Sequence, residues 1–171
     1  PAAVPQLEAA IVDLDGTLIF GDLLHESALK LARMKPLAAL RIPGWLLRSK
    51  AAVKHEIAQR VDIDAGTLPY SEELLSWLRE QKAAGRRLVL CTASNHRYAT
   101  DVASHLGLFD EVIASDSQTN VSAARKAEIL VRRFGKEGFD YAGNSRDDLP
   151  VWERARQVIV VNAQRRVAGV A

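Results

Sequence analysis

Asp13 and Asp15 stand two residues apart behind the short apolar run Ala9–Val12, and Gly16 and Thr17 follow them. Two carboxylates so spaced, on a chain leaving a strand, can face the same region. Gly16 permits the tight turn that brings backbone N–H groups toward an anion. Covalent phosphoryl transfer needs a nucleophile and a second group that protonates the leaving oxygen. Asp13 and Asp15 can divide those roles. Taken alone, the same residues also suit a solvated acidic turn, so the surrounding elements decide between the two readings.

Those elements alternate. Apolar runs at Ala9–Val12, Arg87–Cys91, Glu111–Ala114, Phe139–Ala142 and Val158–Val161 predict five short buried strands. Helical patterns lie between them. Ser71 is a predicted N-cap with Glu72 and Glu73 in the first turn, and Gly85 ends that helix. Tyr98, Val102 and Leu106 fall four apart before Gly107; Ser122 opens a further helix with Ile129, Leu130 and Phe134, closed by Gly135. The alternation implies a doubly wound α/β fold, a parallel sheet covered on both faces. Ligands of such sheets bind beyond the carboxyl ends of the strands. The polar residues closing the first, second and fourth runs therefore meet at one edge.

Residues 20–66 interrupt this rhythm with no convincing strand. Leu23, Leu24, Leu29 and Leu31 predict one helix; Leu37 to Leu47, broken at Pro43-Gly44, a second and a short third; Ala51 to Val61 another. The expected division is a core of residues 1–19 and 67–171 with a helical cap, 20–66, inserted after the first strand. From Leu37 to Lys54 the insert carries Arg41, Arg48, Lys50 and Lys54 and no acidic residue. Trp45 beside these cations is open to two readings: a contact with lipid headgroups, or packing of a helix hairpin whose basic residues are solvated.

Composition limits the alternatives. The chain of 171 residues is 48% hydrophobic and 26% charged, as in globular proteins with a real core. A net charge of +2 is too mild to argue for nucleic acid. The single cysteine, Cys91, allows no internal disulfide and reads as core packing. The start lacks a basic segment followed by a long apolar core, and no run reaches the roughly 18 apolar residues of a membrane span. The expectation is a cytoplasmic location.

Asp13-Leu14-Asp15-Gly16-Thr17 after an apolar strand resembles the first motif of the haloacid dehalogenase-like superfamily. Counterparts of its other three motifs follow in order: Thr92 ending the second strand, Lys126 near a helix start, and Gly143-Asn144-Ser145-Arg146-Asp147-Asp148 after a strand. The resemblance implies sheet order 5-4-1-2-3 and a magnesium-dependent phosphatase. It assigns Asp13 as nucleophile and Asp15 as acid and base, with Thr92 and Lys126 holding phosphate oxygens. Gly16, Thr17, Ala93 and Ser94 are implied substrate contacts. Asp13, the Asp15 carbonyl, Asn144 and Asp148 are the implied ligands of Mg2+. Asn144 departs from the pattern, which has an Asp there. Its amide offers an oxygen without charge, so Asp148, or Asp147, would supply the missing charge directly or through water.

An alkoxide leaving group needs a proton and a halide does not, so Asp15 favours phosphoester hydrolysis over dehalogenation. Three segments, Gly85–Ser94, Leu106–Val112 and Phe139–Ser145, also resemble the soluble domain fused ahead of membrane prenyltransferases of the 4-hydroxybenzoate polyprenyltransferase type. That resemblance implies a fused or associated membrane prenyltransferase and a place at the inner membrane face. The expected substrate is a phosphorylated small molecule or lipid phosphate, such as a prenyl phosphate. A phosphomutase of the same superfamily, and a catalytically weak phosphate-binding module regulating the transferase, are the rival expectations.

Overall fold

A computed structural model describes residues 8–161. The first seven and last ten residues of the expected core lie outside this range. Five parallel strands form one sheet: β1 (Ala9–Val12), β2 (Leu88–Asn95), β3 (Glu111–Ser115), β4 (Phe139–Gly143) and β5 (Gln157–Val160). Their order is β3-β2-β1-β4-β5, the doubly wound arrangement expected from the alternation and the resemblance. Ile11 of the central strand faces Val89 on one side and Tyr141 on the other. β1 is buried along its whole length, as a central parallel strand must be.

Alternate residues feed two cores. Ala10, Val12, Leu88, Leu90 and Ala142 pack on α5 (Glu72–Ala83) and α6 (His96–Leu106) through Leu74, Leu75, Leu78, Tyr98, Ala99 and Val102. Ala9, Ile11, Val89, Cys91, Phe139 and Tyr141 pack on α7 (Ala123–Phe134) and α8 (Leu149–Trp152) through Ala127, Leu130, Val151 and Trp152. The helix signals hold at their ends. Ser71 accepts from Leu74 N–H at the start of α5, and Gly107 adopts the left-handed conformation that stops α6.

Between β1 and α5 lie four α-helices, α1 (Leu23–Met34), α2 (Pro36–Ala39), α3 (Ile42–Arg48) and α4 (Lys50–Ala58), and a 3-10 turn at Ala65–Thr67. Asp22 caps α1 by accepting from Leu24 and His25 N–H at 2.8 and 3.1 Å. The break expected at Pro43-Gly44 falls instead at Leu40-Arg41. Pro43 sits in the first turn of α3, where its missing N–H would have had no partner and its fixed φ suits the helix. Trp45 is buried with Leu31, Val53, Ile57 and Val61 in a small separate core, with the Arg60 guanidinium 4.8 Å over its ring. Of its two readings, packing is the one realised; the indole is not presented to lipid. The two stems of the insert run side by side, Phe20 N–H donating to Pro69 O at 2.8 Å and Ser71 N–H to Leu18 O at 2.9 Å.

Candidate active site

The chain leaves β1 into a turn fixed from several directions. Asp13 N–H donates to Ala142 O at 3.0 Å, which ties the turn to β4, and Gly16 N–H donates to Gly21 O at 3.0 Å. Gly16 has φ +74°, and a Cβ there would collide with the Asn144 side chain. Only glycine meets both demands. This contact brings the first and fourth motifs together across β1 and β4.

Asp13 Oδ1 accepts from Lys126 Nζ at 2.9 Å. Burial pushes its carboxyl up to about 6; Lys126 opposes that shift, while Asp148 and Asp15 add to it. Asp15 Oδ1 accepts from Leu23 N–H at 2.8 Å and Oδ2 from the Ser94 hydroxyl at 2.5 Å. Burial raises this carboxyl as well, against those two hydrogen bonds. The two carboxylates thus have different partners. Asp13 is tied to a cation, and Asp15 is oriented by neutral donors, one of them at the N-terminus of α1.

Lys126 lies in the first turns of α7 and is buried. Besides Asp13 its Nζ donates to Tyr141 Oη at 2.7 Å and stands 3.8 Å from Asp148 Oδ1. Tyr141 in turn donates to Asp148 Oδ1 at 2.8 Å. The other oxygen of Asp148 accepts from Asn144 and Ser145 N–H at 3.1 and 3.2 Å. Asp148 therefore shapes the loop that carries Asn144 through Oδ2, while Oδ1 ties it to Tyr141 and Lys126. Gly143 precedes this loop because a Cβ there would meet Asp148 Oδ2 at 2.6 Å. Nothing in the strand-like segment containing Tyr141 marked it as a link between Lys126 and Asp148.

Thr92 is fully buried and its hydroxyl accepts from Ser94 N–H at 3.0 Å. Ser94, expected to touch substrate, has its hydroxyl on Asp15. The Ala93 carbonyl accepts from Lys54 Nζ at 2.6 Å, and Lys54 also donates to Asn120 Oδ1 at 3.0 Å. Lys54 comes from α4, so the insert places a cation in the site. Burial lowers its pKa, with Asp15 and Asp22 opposing that shift. Sequence reading placed Lys54 only in a basic stretch; its spacing of 39 residues from Ala93 gave no further signal.

These groups line one cleft of about 1000 Å³. Its floor holds Asp13, Asp15, Gly16, Thr92, Ala93, Ser94, Lys126, Asn144 and Asp148; Leu24, Leu46, Val53, Lys50 and Lys54 form the insert side. Thr17, also expected at the site, is buried beneath the turn. Among the described residues no group of three or more His, Cys, Asp or Glu side chains is disposed to hold a metal. Magnesium asks for less, because it keeps several waters and takes one or two carboxylates with other oxygens. Asp13, the Asp15 carbonyl and the carboxamide of Asn144, whose side chain lies against the turn at Gly16, would offer a hard oxygen donor set. It suits magnesium and no soft metal.

A parallel sheet that gathers a buried carboxylate, a buried lysine and oxygen donors at its carboxyl edge is an α/β architecture whose cleft suits an anionic group. The family follows from comparison: the profile described as haloacid dehalogenase-like hydrolase matches residues 10–153, and the chain belongs to that family. A relative from Sinorhizobium fredii (strain NBRC 101917 / NGR234), described as uncharacterized protein y4nM, is 40% identical over 152 residues. That match covers 88% of this chain and 29% of the relative, so the chain spans less than a third of that protein's length. Among solved structures, a protein with unknown function from Bordetella pertussis Tohama I is similar with a TM-score of 0.73. It is 20% identical, over 97% of this chain and 95% of that one. A phospho-aspartyl intermediate analogue of phosphoserine phosphatase is similar with a TM-score of 0.66 at 13% identity, over 96% and 90% of the two chains. At these identities the likeness to the two structures is one of fold.

Proposed function

We propose that the protein is a magnesium-dependent phosphomonoester hydrolase working through an aspartyl phosphate on Asp13. The observation that carries this reading is the pairing of Asp13 with buried Lys126 beside an independently held Asp15. An Asp13 oxygen attacks phosphorus in line, and the bond to the leaving oxygen breaks. Asp15, whose raised pKa favours the protonated form, gives its proton to that oxygen. Asp15 then takes a proton from water as the water attacks the acyl phosphate, releasing inorganic phosphate and restoring Asp13. Lys126 offsets the charge gathered around the phosphoryl group, and Thr92 holds one of its oxygens. Asp13, the Asp15 carbonyl and Asn144 would hold Mg2+, which when bound would neutralise phosphate charge and orient the attack. Asp148 positions Asn144 through the backbone of its loop and would add its charge to the metal site through water.

The insert, residues 20–66, is read as a cap over the catalytic core. Leu24, Leu46 and Val53 with Lys50 and Lys54 on its side of the cleft suit a leaving group with an apolar body, such as a prenyl or other lipid phosphate. The longer relative has length for a further domain beside the matched region. A membrane prenyltransferase, at the inner membrane face, is the partner that the sequence resemblance implies.

The test is turnover of a small aryl phosphate with and without Mg2+. Turnover should require the ion, vanish in Asp13→Asn and fall by at least about a hundredfold in Asp15→Asn. Wild-type activity in Asp13→Asn would exclude the covalent route. Activity indifferent to chelator would exclude the metal.

A further inference from the structure

We infer that the outer side of α2 and α3 is a docking surface for an anionic phospholipid membrane, seated so that the mouth of the cleft meets the lipid. All the large apolar side chains that stand exposed among the described residues lie between Phe20 and Leu47. The most exposed are Leu47 at 90%, Leu37 at 81% and Leu40 at 76%. Their neighbours show why they are outside. Ala38 and Ala39 of α2, with Ile42 and Trp45 at α3, face the insert's own core. That core is already filled, so the opposite side of both short helices is left to Leu37, Leu40, Leu46 and Leu47. Apolar groups concentrated in this way on one region mark an interaction surface.

The charge around them selects the occupant. Between Glu26 and Glu56 the chain has no acidic residue and seven Lys and Arg. Arg33, Arg41 and Lys50 form no ion pair among the described residues, and Arg48 makes only a loose contact of 3.5 Å with Glu56. Leucines that enter the acyl boundary, flanked by cations at headgroup level, are what an interfacial helix presents to anionic lipid. No helix among the described residues is long and apolar enough to cross a membrane, and α2 and α3, of four and seven residues, can only lie along its surface. Leu46 and Lys50 belong to both the surface and the cleft. Docking therefore brings the cleft to phosphate esters held in the lipid. This last consequence rests on the hydrolase reading; the docking does not.

The test is co-sedimentation with vesicles of phosphatidylcholine alone and with about a third phosphatidylglycerol. The protein should bind the anionic vesicles, release them as salt is raised, and leave neutral vesicles unbound. Leu37→Ser with Leu47→Ser, and separately Arg33→Glu with Arg41→Glu, should each weaken binding at least tenfold. Neither pair touches the cleft, so circular dichroism and aryl phosphate turnover in solution should stay unchanged. Failure of the parent to bind anionic vesicles would overturn the proposal, as would binding that the serine pair leaves intact. A stable dimer in sedimentation velocity, dispersed by the serine pair, would assign the face to a second copy of the chain and also overturn it. If turnover were absent but vesicle binding behaved as described, the docking surface would stand and the hydrolase reading would fall.

Discussion

The two ends of the sheet bury carboxylates in opposite ways. At the amino ends, Asp140 of β4 meets Arg86, which precedes β2, and Arg156, which precedes β5. Arg156 holds it through two bonds of 2.9 and 2.8 Å, and Arg86 also donates to the Glu8 carbonyl at 2.5 Å. Two carboxylates, Asp140 and Glu8, the latter 2.6 Å from Arg156 Nε, are matched by two guanidiniums that stitch four strands together. At the carboxyl ends, Asp13 and Asp148 share Lys126, while Asp15 has only neutral donors in contact. The first arrangement is electrically closed. The second sets the carboxylates of Asp13, Asp15 and Asp148 against Lys126 and Lys54, an excess of negative charge; burial first, with neighbouring carboxylates adding to it, raises the carboxyls of Asp13 and Asp15. A site left in this state gains most from a bound cation or from groups that neutralise it.

Asp140→Ala should have the largest effect on stability. It leaves Arg86, 7% exposed, without its carboxylate, while Arg156 keeps Glu8, and removing one partner of a buried pair costs about 3–5 kcal/mol. Urea denaturation should show this loss with little change in turnover, because the cleft lies at the other end of the strands. A loss below about 1 kcal/mol would mean that the amino end is not the closed network described.

Asp13→Asn should act in the opposite direction. A carboxyl whose folded pKa is raised binds its proton more tightly folded than unfolded. Its ionised form therefore penalises the fold above the folded value, and the penalty fades as pH falls toward the unfolded one. From the usual 3.8 to about 6 the penalty is about 3 kcal/mol at most. Lys126 keeps Asp148 at 3.8 Å in the variant. In chelator at pH 7–8, Asp13→Asn should be more stable than the parent, and the difference should disappear near pH 4. Thermal denaturation across that range measures it. A variant less stable at pH 8 would show that the Lys126 pair, and not burial, governs Asp13.

How much of each end was legible follows from sequence distance. Asp13, Thr92 and Asn144 each follow or close an apolar run, so their meeting at one edge follows from the alternation alone; Lys126, just inside a helix start, joined them only through the family resemblance. Tyr141 was hidden, because an aromatic in a buried strand is ordinary and its hydroxyl bonds depend on where α7 lands. Arg86, Asp140 and Arg156 were hidden for a related reason: only the strand order brings positions so far apart in sequence together. In the insert, helices were foreseen, but an aromatic among cations gave no sign of burial. Leu31, Val53 and Ile57 decide that by packing around Trp45. Pro43 misled in a smaller way, since a proline inside a helical pattern breaks it but one in the first turn begins it.

The smallest effect is the one that separates the two ends most sharply. Asn144→Asp adds a carboxylate beside Gly16, at the end that already has excess negative charge. Without metal the added charge has no cation of its own, because Lys126 is already shared by Asp13 and Asp148. The variant should therefore lose about 1 kcal/mol at pH 7 in chelator, the equivalent of roughly one unit of pKa. The loss should vanish as pH falls far enough to protonate the new group. With magnesium the sign reverses. A charged oxygen replaces a neutral one in the donor set, and affinity should rise about tenfold, or ~1.4 kcal/mol. Titration calorimetry and thermal denaturation, each with and without Mg2+, read the two halves separately. A loss of stability in chelator with no gain in affinity would remove Asn144 from the metal site and leave the excess charge of the carboxyl end intact. A gain in stability without metal would mean that the site already holds an unmatched positive charge, and the contrast between the two ends of the sheet would fail.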